Sequence, residues 1–323
     1  MLLTDQNPFN KSIMISLLGR PNAGKSSLVN YLLGFDLTIV SNKPQTTRNQ
    51  FHCAFTVDHT EIILVDTPGI HQSGQELNKR MNGQADFAAE GVDLNFLLLD
   101  LKFDPVKDAK DIVSNLANDL SATWIIFTKN DLVTKTKEEL DEVFIEIQKV
   151  IPNAQRYYSI SSTEGTNVHH LTGDICDVAK DGPHLYPNGE VSNKNERFFA
   201  SEYIREQAFH ILKDELPYEV AVVIEEFKDV KKDEENKKEL INHISASILV
   251  NRPSQRAIVV GRAGTVIKQI GMNARKKIEA MVGGKVHLNL HVKVSPKWFK
   301  NNYVLEEIGL PRVQDSARVW RQK

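Results

Sequence analysis

The octet Gly19-Arg20-Pro21-Asn22-Ala23-Gly24-Lys25-Ser26 constrains this chain more than any other stretch. It fits G-x-x-x-x-G-K-[ST], in which glycines let backbone amides converge on phosphate oxygens. The apolar run Ile13 to Leu18 precedes it, and the helical pattern Ser27 to Leu33 follows. Strand, glycine-rich loop and helix is the context such a loop requires, because the helix N-terminus adds partial positive charge. Lys25 would reach the outer phosphates and the Ser26 hydroxyl would bind Mg2+. The octet and Ser27 form a candidate nucleotide site.

Two later motifs choose the nucleotide. Glu61 to Val65 is strand-like, and Asp66-Thr67-Pro68-Gly69 follows it. Asp66 is placed to hold the Mg2+ shell, and the Gly69 amide to contact a terminal phosphate. The strand-like Trp124 to Phe127 leads into Thr128-Lys129-Asn130-Asp131. This resembles the [N/T]-K-x-D base-reading motif of GTPases. Asp131 would accept hydrogen bonds from the guanine N1–H and exocyclic amine, whereas adenine would leave that carboxylate unpaired. The Lys129 stem would lie over the base. Thr128, where many GTPases have Asn, keeps a hydrogen-bonding oxygen but loses an amide donor.

The 323 residues suggest about two domains. Up to about residue 178, strand-like runs alternate with helical segments, which predicts an α/β fold with a mostly parallel sheet and helices on both faces. Residues 179–198 read as a linker, since Asp181 to Gly189 is rich in turn residues. Residues 199–323 then form a second domain. There Phe199 to Leu212 is helical, Tyr218 to Phe227 and Ile241 to Val250 are strand-like, and Lys228 to Glu239 is a mixed-charge turn. The apolar Ala257 to Val260 enters the loop Gly261-Arg262-Ala263-Gly264. Thr265 to Met281 is a basic helix, and Val286, Leu288, Leu290, Val292 and Val294 share one face of a strand.

The net charge of −2 hides an asymmetry. Residues 1–198 carry 18 Lys+Arg against 26 Asp+Glu, whereas from residue 250 onward 15 basic residues face 4 acidic ones. A basic segment on an acidic chain is a footprint for nucleic acid or an anionic membrane. The G-x-x-G loop fits the first, because a loop without bulk lets an RNA backbone approach. Arg262 adds charge, and Lys268, Arg275, Lys276 and Lys277 line the expected approach. Leu94 to Leu101 is too short to span a bilayer, and Met1 to Lys11 lacks the pattern of a signal peptide. Cys53 and Cys176 have no ligand-like spacing and read as reduced thiols.

Taken together, the residues resemble the Era family of bacterial GTPases over nearly the whole chain. The resemblance rests on the octet, Pro44-Gln45-Thr46-Thr47-Arg48, Asp66 to His71 and Thr128 to Asp131. It continues through Gly182-Pro183-His184, Glu215 to Tyr218, Val260 to Gly264 and Ile267 to Gly271. Val286 to Leu288 and Val292 to Val294 complete it. It implies a P-loop G domain over 1–178 and a C-terminal α+β KH domain of type II. It implies a monomer that binds GTP or GDP, the 3′ end of small-subunit ribosomal RNA and the small ribosomal subunit, in the cytoplasm with peripheral contact to the inner membrane. Ser161-Ser162-Thr163 stands where the family places a backbone amide on guanine O6. After Val294, Ser295-Pro296-Lys297-Trp298 inserts a proline into the family's ending.

Ile70 follows Gly69, where Ras-like GTPases have a water-orienting Gln. An aliphatic side chain does not orient water, so slow intrinsic turnover is expected. Thr46 or Thr47 should bind Mg2+ with GTP, and Thr47 is favoured. Asn22 in the phosphate loop is a candidate ligand for a potassium ion that would supply the missing charge. The readings from other classes are an RNA chaperone holding GTP as a structural ligand and a GTPase of a membrane or tRNA-modification system.

Overall fold

The computed structural model describes residues 7–41, 46–69, 76–89, 91–116, 122–186, 189–228 and 241–312. Pro44, Gln45, Ile70, His71, the 229–240 charge run and the last eleven residues lie outside the described residues. The chain divides into two compact units, with the change between Asn193 and Lys194.

The first unit is built on β1 (Lys11–Leu18), α1 (Lys25–Leu33), β2 (Phe51–Val57), β3 (Thr60–Asp66), α2 (Glu76–Ala89) and β4 (Leu94–Asp100). It continues through α3 (Pro105–Asn115), β5 (Thr123–Thr128), α4 (Lys137–Val150), β6 (Ala154–Ser159), α5 (Val168–Val178) and β7 (Lys180–Asp181). The sheet order is β2-β3-β1-β4-β5-β6. Among the described residues, only β2 and the short β7 run antiparallel to their partners. Leu97, Leu99, Ile125 and Phe127 pack with Ala109 and Ile112 of α3 and Ile147 of α4. Phe96, Leu98 and Ile126, which alternate with them, are also buried, so both sheet faces are covered. This explains why β3, β4 and β5 read as continuous apolar runs. The strands end together at one edge. There the loop after β1, Asp66 at the end of β3, Asp100 at the end of β4 and Thr128 at the end of β5 meet the ligand side expected of such sheets.

The segment expected to be a linker is in part a strap on this unit. Lys180 and Asp181 pair with Ser12 and Lys11. Val191 O accepts the Ala54 amide, the Ser192 hydroxyl donates to His52 O at 2.6 Å, and Asn193 Oδ1 accepts the His52 amide at 2.9 Å. Buried Glu61 accepts the amides of Leu185 at 2.6 Å and Tyr186 at 3.0 Å. Its carboxylate therefore replaces two backbone partners the strap lacks. Glu61→Ala is expected to cost about 2 kcal/mol, a fall in Tm of about 4–8 °C read by thermal unfolding.

The second unit follows the order α6 (Glu196–Ile211), β8 (Ala221–Lys228), β9 (Ile241–Val250), α7 (Pro253–Val260), α8 (Thr265–Val282), β10 (Lys285–Val294) and α9 (Asn302–Glu307). Its sheet is β10-β9-β8, parallel between β9 and β10 and antiparallel between β8 and β9. Helices α6, α7 and α8 pack against the sheet, and α8 packs against both other helices. Trp298 is fully buried and donates from Nε1 to Glu219 O at 2.8 Å, so the proline at 296 does not stop this ending from docking.

One strand start differs from expectation, and the apolar Ala257 to Val260 proves to be part of helix α7, so G-x-x-G joins two helices. Pro253 at the first turn and Gln255, whose side chain accepts the amides of Asn251 and Arg252, start that helix. Tyr218 lies in a 3-10 turn at Leu216–Glu219, and the strand begins at Ala221.

Candidate functional site

A cavity of about 470 Å3 opens at the strand ends of the first unit. The phosphate loop forms one wall, with Pro21, Asn22, Gly24, Lys25, Ser26 and Ser27 lining it. Asn22 and Gly24 both adopt left-handed backbone, with φ of 65° and 92°, a conformation with which successive amides can form an anion-binding concavity. The Lys25 ammonium donates to Gly19 O at 2.9 Å and Arg20 O at 3.0 Å and so ties the loop across itself. Burial pushes Lys25 down to about 8, opposed by the nearby Asp66. Burial pushes Asp66 up to about 6, opposed first by Lys25 and then by the Thr47 hydroxyl.

Three oxygen donors converge beside Lys25. Thr47 Oγ1 lies 3.2 Å from Ser26 Oγ and donates to Asp66 Oδ2 at 3.2 Å. Asp66 Oδ1 is buried with no hydrogen-bond partner among the described residues. Two hydroxyls and one under-used carboxylate oxygen are a hard donor set that fits Mg2+. Among the described residues no group of three His, Cys, Asp or Glu could hold a metal. Thr47 is the threonine in contact with both other donors, and Thr46 also lines the cavity. Gly69 closes on the loop: a Cβ there would lie 2.4 Å from Pro21 N, so only glycine lets the two backbones approach.

The far end is set by the base motif. Thr128 Oγ1 lies 2.8 Å from Ala23 O and 3.3 Å from Leu99 O, sharing its one proton between strand and phosphate loop. The Lys129 ammonium donates to Asn22 O at 2.7 Å and pairs with Asp100 at 2.5 Å. That pairing stretches its stem across the cavity wall. Asp131 is exposed in the lining, with no hydrogen-bond or ion-pair partner among the described residues. Ser162 and Thr163 line the same end. Ser161 lies buried behind them, its Oγ accepting the Glu164 amide at 3.1 Å.

In the second unit, Gly261, Ala263 and Gly264 all have positive φ, at 74°, 52° and 79°. Gly264 starts α8 without a side-chain cap, which leaves first-turn amides available to an anion. A groove of about 230 Å3 is lined by Ile267, Lys268, Gly271, Met272, Arg275, Leu288 and Leu290. Arg262 and Lys276 are exposed but outside that lining. Lys277 does not line the approach: it pairs with buried Glu206 at 2.8 Å and sits over the Tyr203 ring.

Residues 14–129 match the family described as 50S ribosome-binding GTPase, and residues 215–299 match the KH domain. GTPase Era of Thermotoga maritima is 38% identical over 301 residues, covering 93% of this chain and 97% of the relative. GTPase Era of Leuconostoc citreum is 36% identical, with 93% and 96% covered. The chain belongs to the Era family. It is a GTPase with a G domain and a C-terminal KH domain. Its fold matches Era in complex with MgGDPNP and nucleotides 1506–1542 of 16S ribosomal RNA, with a TM-score of 0.86, 28% identity and coverage of 94% and 100%. A variant of Aquifex aeolicus Era bound to GDP·AlF4− matches with a TM-score of 0.85, the same identity and the same coverage.

Within this Era-family frame, several expected residues act from behind the cavity wall. Arg20 turns away to pair with Asp108 at 2.5 Å. Gly19 and Ala23 offer carbonyls to Lys25 and Thr128. Thr67 is buried and donates to Leu17 O at 2.5 Å, and Pro68 is buried beside it. Ile70 lies outside the described residues. Sequence reasoning missed Ile39, Val40, Ser41, Lys102, Phe103 and Leu132 in the lining. A signal for the first three was Asn30, an amide among the apolar residues of helix α1. Its Oδ1 accepts the amides of Leu37 at 3.1 Å and Thr38 at 2.9 Å and so fixes where that segment enters. Leu288 and Leu290 line the groove from the strand face they share with Val286 and Val292, of which only the two valines are buried.

Proposed function

We propose that this chain binds and hydrolyses GTP to control its binding to the 3′ end of small-subunit ribosomal RNA, and so assists assembly of the small ribosomal subunit. The observation that carries the reading is the match over 94% of the chain to an Era structure holding both a GTP analogue and that kind of RNA. The octet's amides and Lys25 would cradle the phosphates, Asp131 would read guanine, and Ser162 would place its amide near O6. Ser26, Thr47 and Asp66 would hold Mg2+, which offsets negative charge on the outer phosphates. The Gly261 to Gly264 loop, with Arg262, Lys268, Arg275 and Lys276, would take the RNA backbone. The RNA bases would rest on Ile267, Met272, Leu288 and Leu290.

The proposed setting is the cytoplasm, as a monomer, with peripheral contact to the inner membrane. Among the described residues no helix is long and apolar enough to cross a membrane. Sequencing RNA crosslinked to the chain in cells tests the function. Enrichment of the small-subunit RNA 3′ end is expected, and enrichment of transfer RNA instead would overturn the reading.

Turnover without a partner is expected to be slow, because Ile70 replaces a water-orienting side chain. Asn22 lines the phosphate end, and we place a potassium ion beside it to stabilise charge developing on the phosphates. GTP turnover is then expected to be faster in KCl than in NaCl at equal ionic strength, and Asn22→Ala to abolish the difference while still binding GTP. Equal wild-type rates in the two salts would rule the ion out.

A further inference from the structure

Phe103 is a large apolar side chain left 62% exposed, yet it lines the cavity beside Asp131 and Lys129. Leu132, 50% exposed, lines the same end. Isolated exposed apolar residues are ordinary. Two of them in the lining of one cavity that also carries the base motif, on backbone fixed from several sides, are not. The turn after β4 is held at each residue. Asp100 accepts the Lys102 amide on Oδ1 at 2.9 Å and the Phe103 amide on its carbonyl at 3.2 Å. The Lys135 ammonium donates to the carbonyls of Leu101 at 2.5 Å and Phe103 at 3.0 Å. Asp104 then caps α3 through the Lys107 amide at 3.0 Å, with Pro105 in the first turn. Asp100 also pairs with Lys129, so this turn and the base motif share one carboxylate. Leu132 is tied to the motif by its amide, which donates to Lys129 O at 3.0 Å.

We propose that Phe103, with Leu132, is a nucleoside-binding wall: the ring packs on the purine or its ribose and adds affinity that the polar base motif does not supply. This rests on the cavity being the GTP site. The chemistry is complementary. Asp131 offers edge recognition in the plane of the base, and an aromatic ring offers contact with a face or with the sugar's carbons. With its backbone already anchored and only two side-chain torsions to order, the ring loses less freedom on binding than a long flexible side chain would. Stacking of this kind is insensitive to which purine is present. Phe103 therefore strengthens binding without choosing guanine.

The test measures GDP affinity for the unaltered chain and for Phe103→Ala, with Mg2+, by fluorescent-nucleotide displacement. About tenfold weaker binding is expected in the variant. In a second variant, Phe103→Trp, the added indole emission is read above the background of the unaltered chain. GDP is expected to quench it, and inorganic tripolyphosphate to leave it unchanged. Equal GDP affinity in the alanine variant, or indole emission indifferent to saturating GDP, would overturn the proposal. Failure of the unaltered chain to bind GDP would overturn the nucleotide-site reading itself, and the proposal with it.

Discussion

Replacing Asp131 with asparagine is expected to weaken GTP binding at least 100-fold and to turn preference toward xanthosine triphosphate. Asp131 lies exposed in the cavity lining, free of any protein partner among the described residues, so its acceptor capacity is available to a ligand. Guanine presents two N–H donors to a carboxylate, and hydrogen bonds to a charged group are worth about 1.5–3 kcal/mol each. The amide keeps the shape but faces one of those donors with an N–H2. About 3 kcal/mol is a factor above 100. Xanthine has a carbonyl where guanine has the amine, which suits the amide donor. Titration of both nucleotides into both proteins reads the result. Equal GTP affinity in the variant would remove Asp131 from the base site.

Gly264→Asp is expected to abolish RNA binding while leaving GTP affinity unchanged. Nothing lies within 4 Å of a Cβ at Gly264, so the new carboxylate has space and projects where a phosphate is proposed to approach. Two like charges 4 Å apart repel by about 4 kcal/mol at an effective dielectric near 20. The positive φ adds about 1–2 kcal/mol of local strain, which the fold tolerates. Gly261 is a poorer site for this test. A Cβ there would fall 2.5 Å from Val266 Cγ2 and 2.9 Å from Val266 N, so substitution would displace the loop whatever the charge. Undiminished RNA affinity in a folded Gly264→Asp chain would remove the G-x-x-G loop from the RNA site.

The nucleotide site was legible because its chemistry is local. Each motif is a short run at the end of a strand, and a parallel sheet brings strand ends together. What stayed hidden was pairing across distance. Nothing in the octet says that Arg20 would turn to Asp108, or that Thr128 would bond to Ala23 O and so replace part of the missing amide. Residues 180–186 and 191–193 carry turn signals, yet they bond to Glu61, His52 and β1, partners more than a hundred residues earlier. Lys277 looked like its basic neighbours, and only the fold shows Glu206 opposite it. Ala257 to Val260 were ambiguous because a short apolar run has no period of its own. Pro253 was the cue that they continue a helix.

The bound nucleotide is proposed to set the chain's affinity for RNA. The direct measurement is the affinity of the intact chain for a labelled single-stranded RNA carrying the 3′-terminal sequence of small-subunit ribosomal RNA. It is read by fluorescence anisotropy with Mg2+ and either GDPNP or GDP. At least tenfold tighter binding with GDPNP is expected. Equal affinity in the two states, with both nucleotides shown to be bound, would contradict the account.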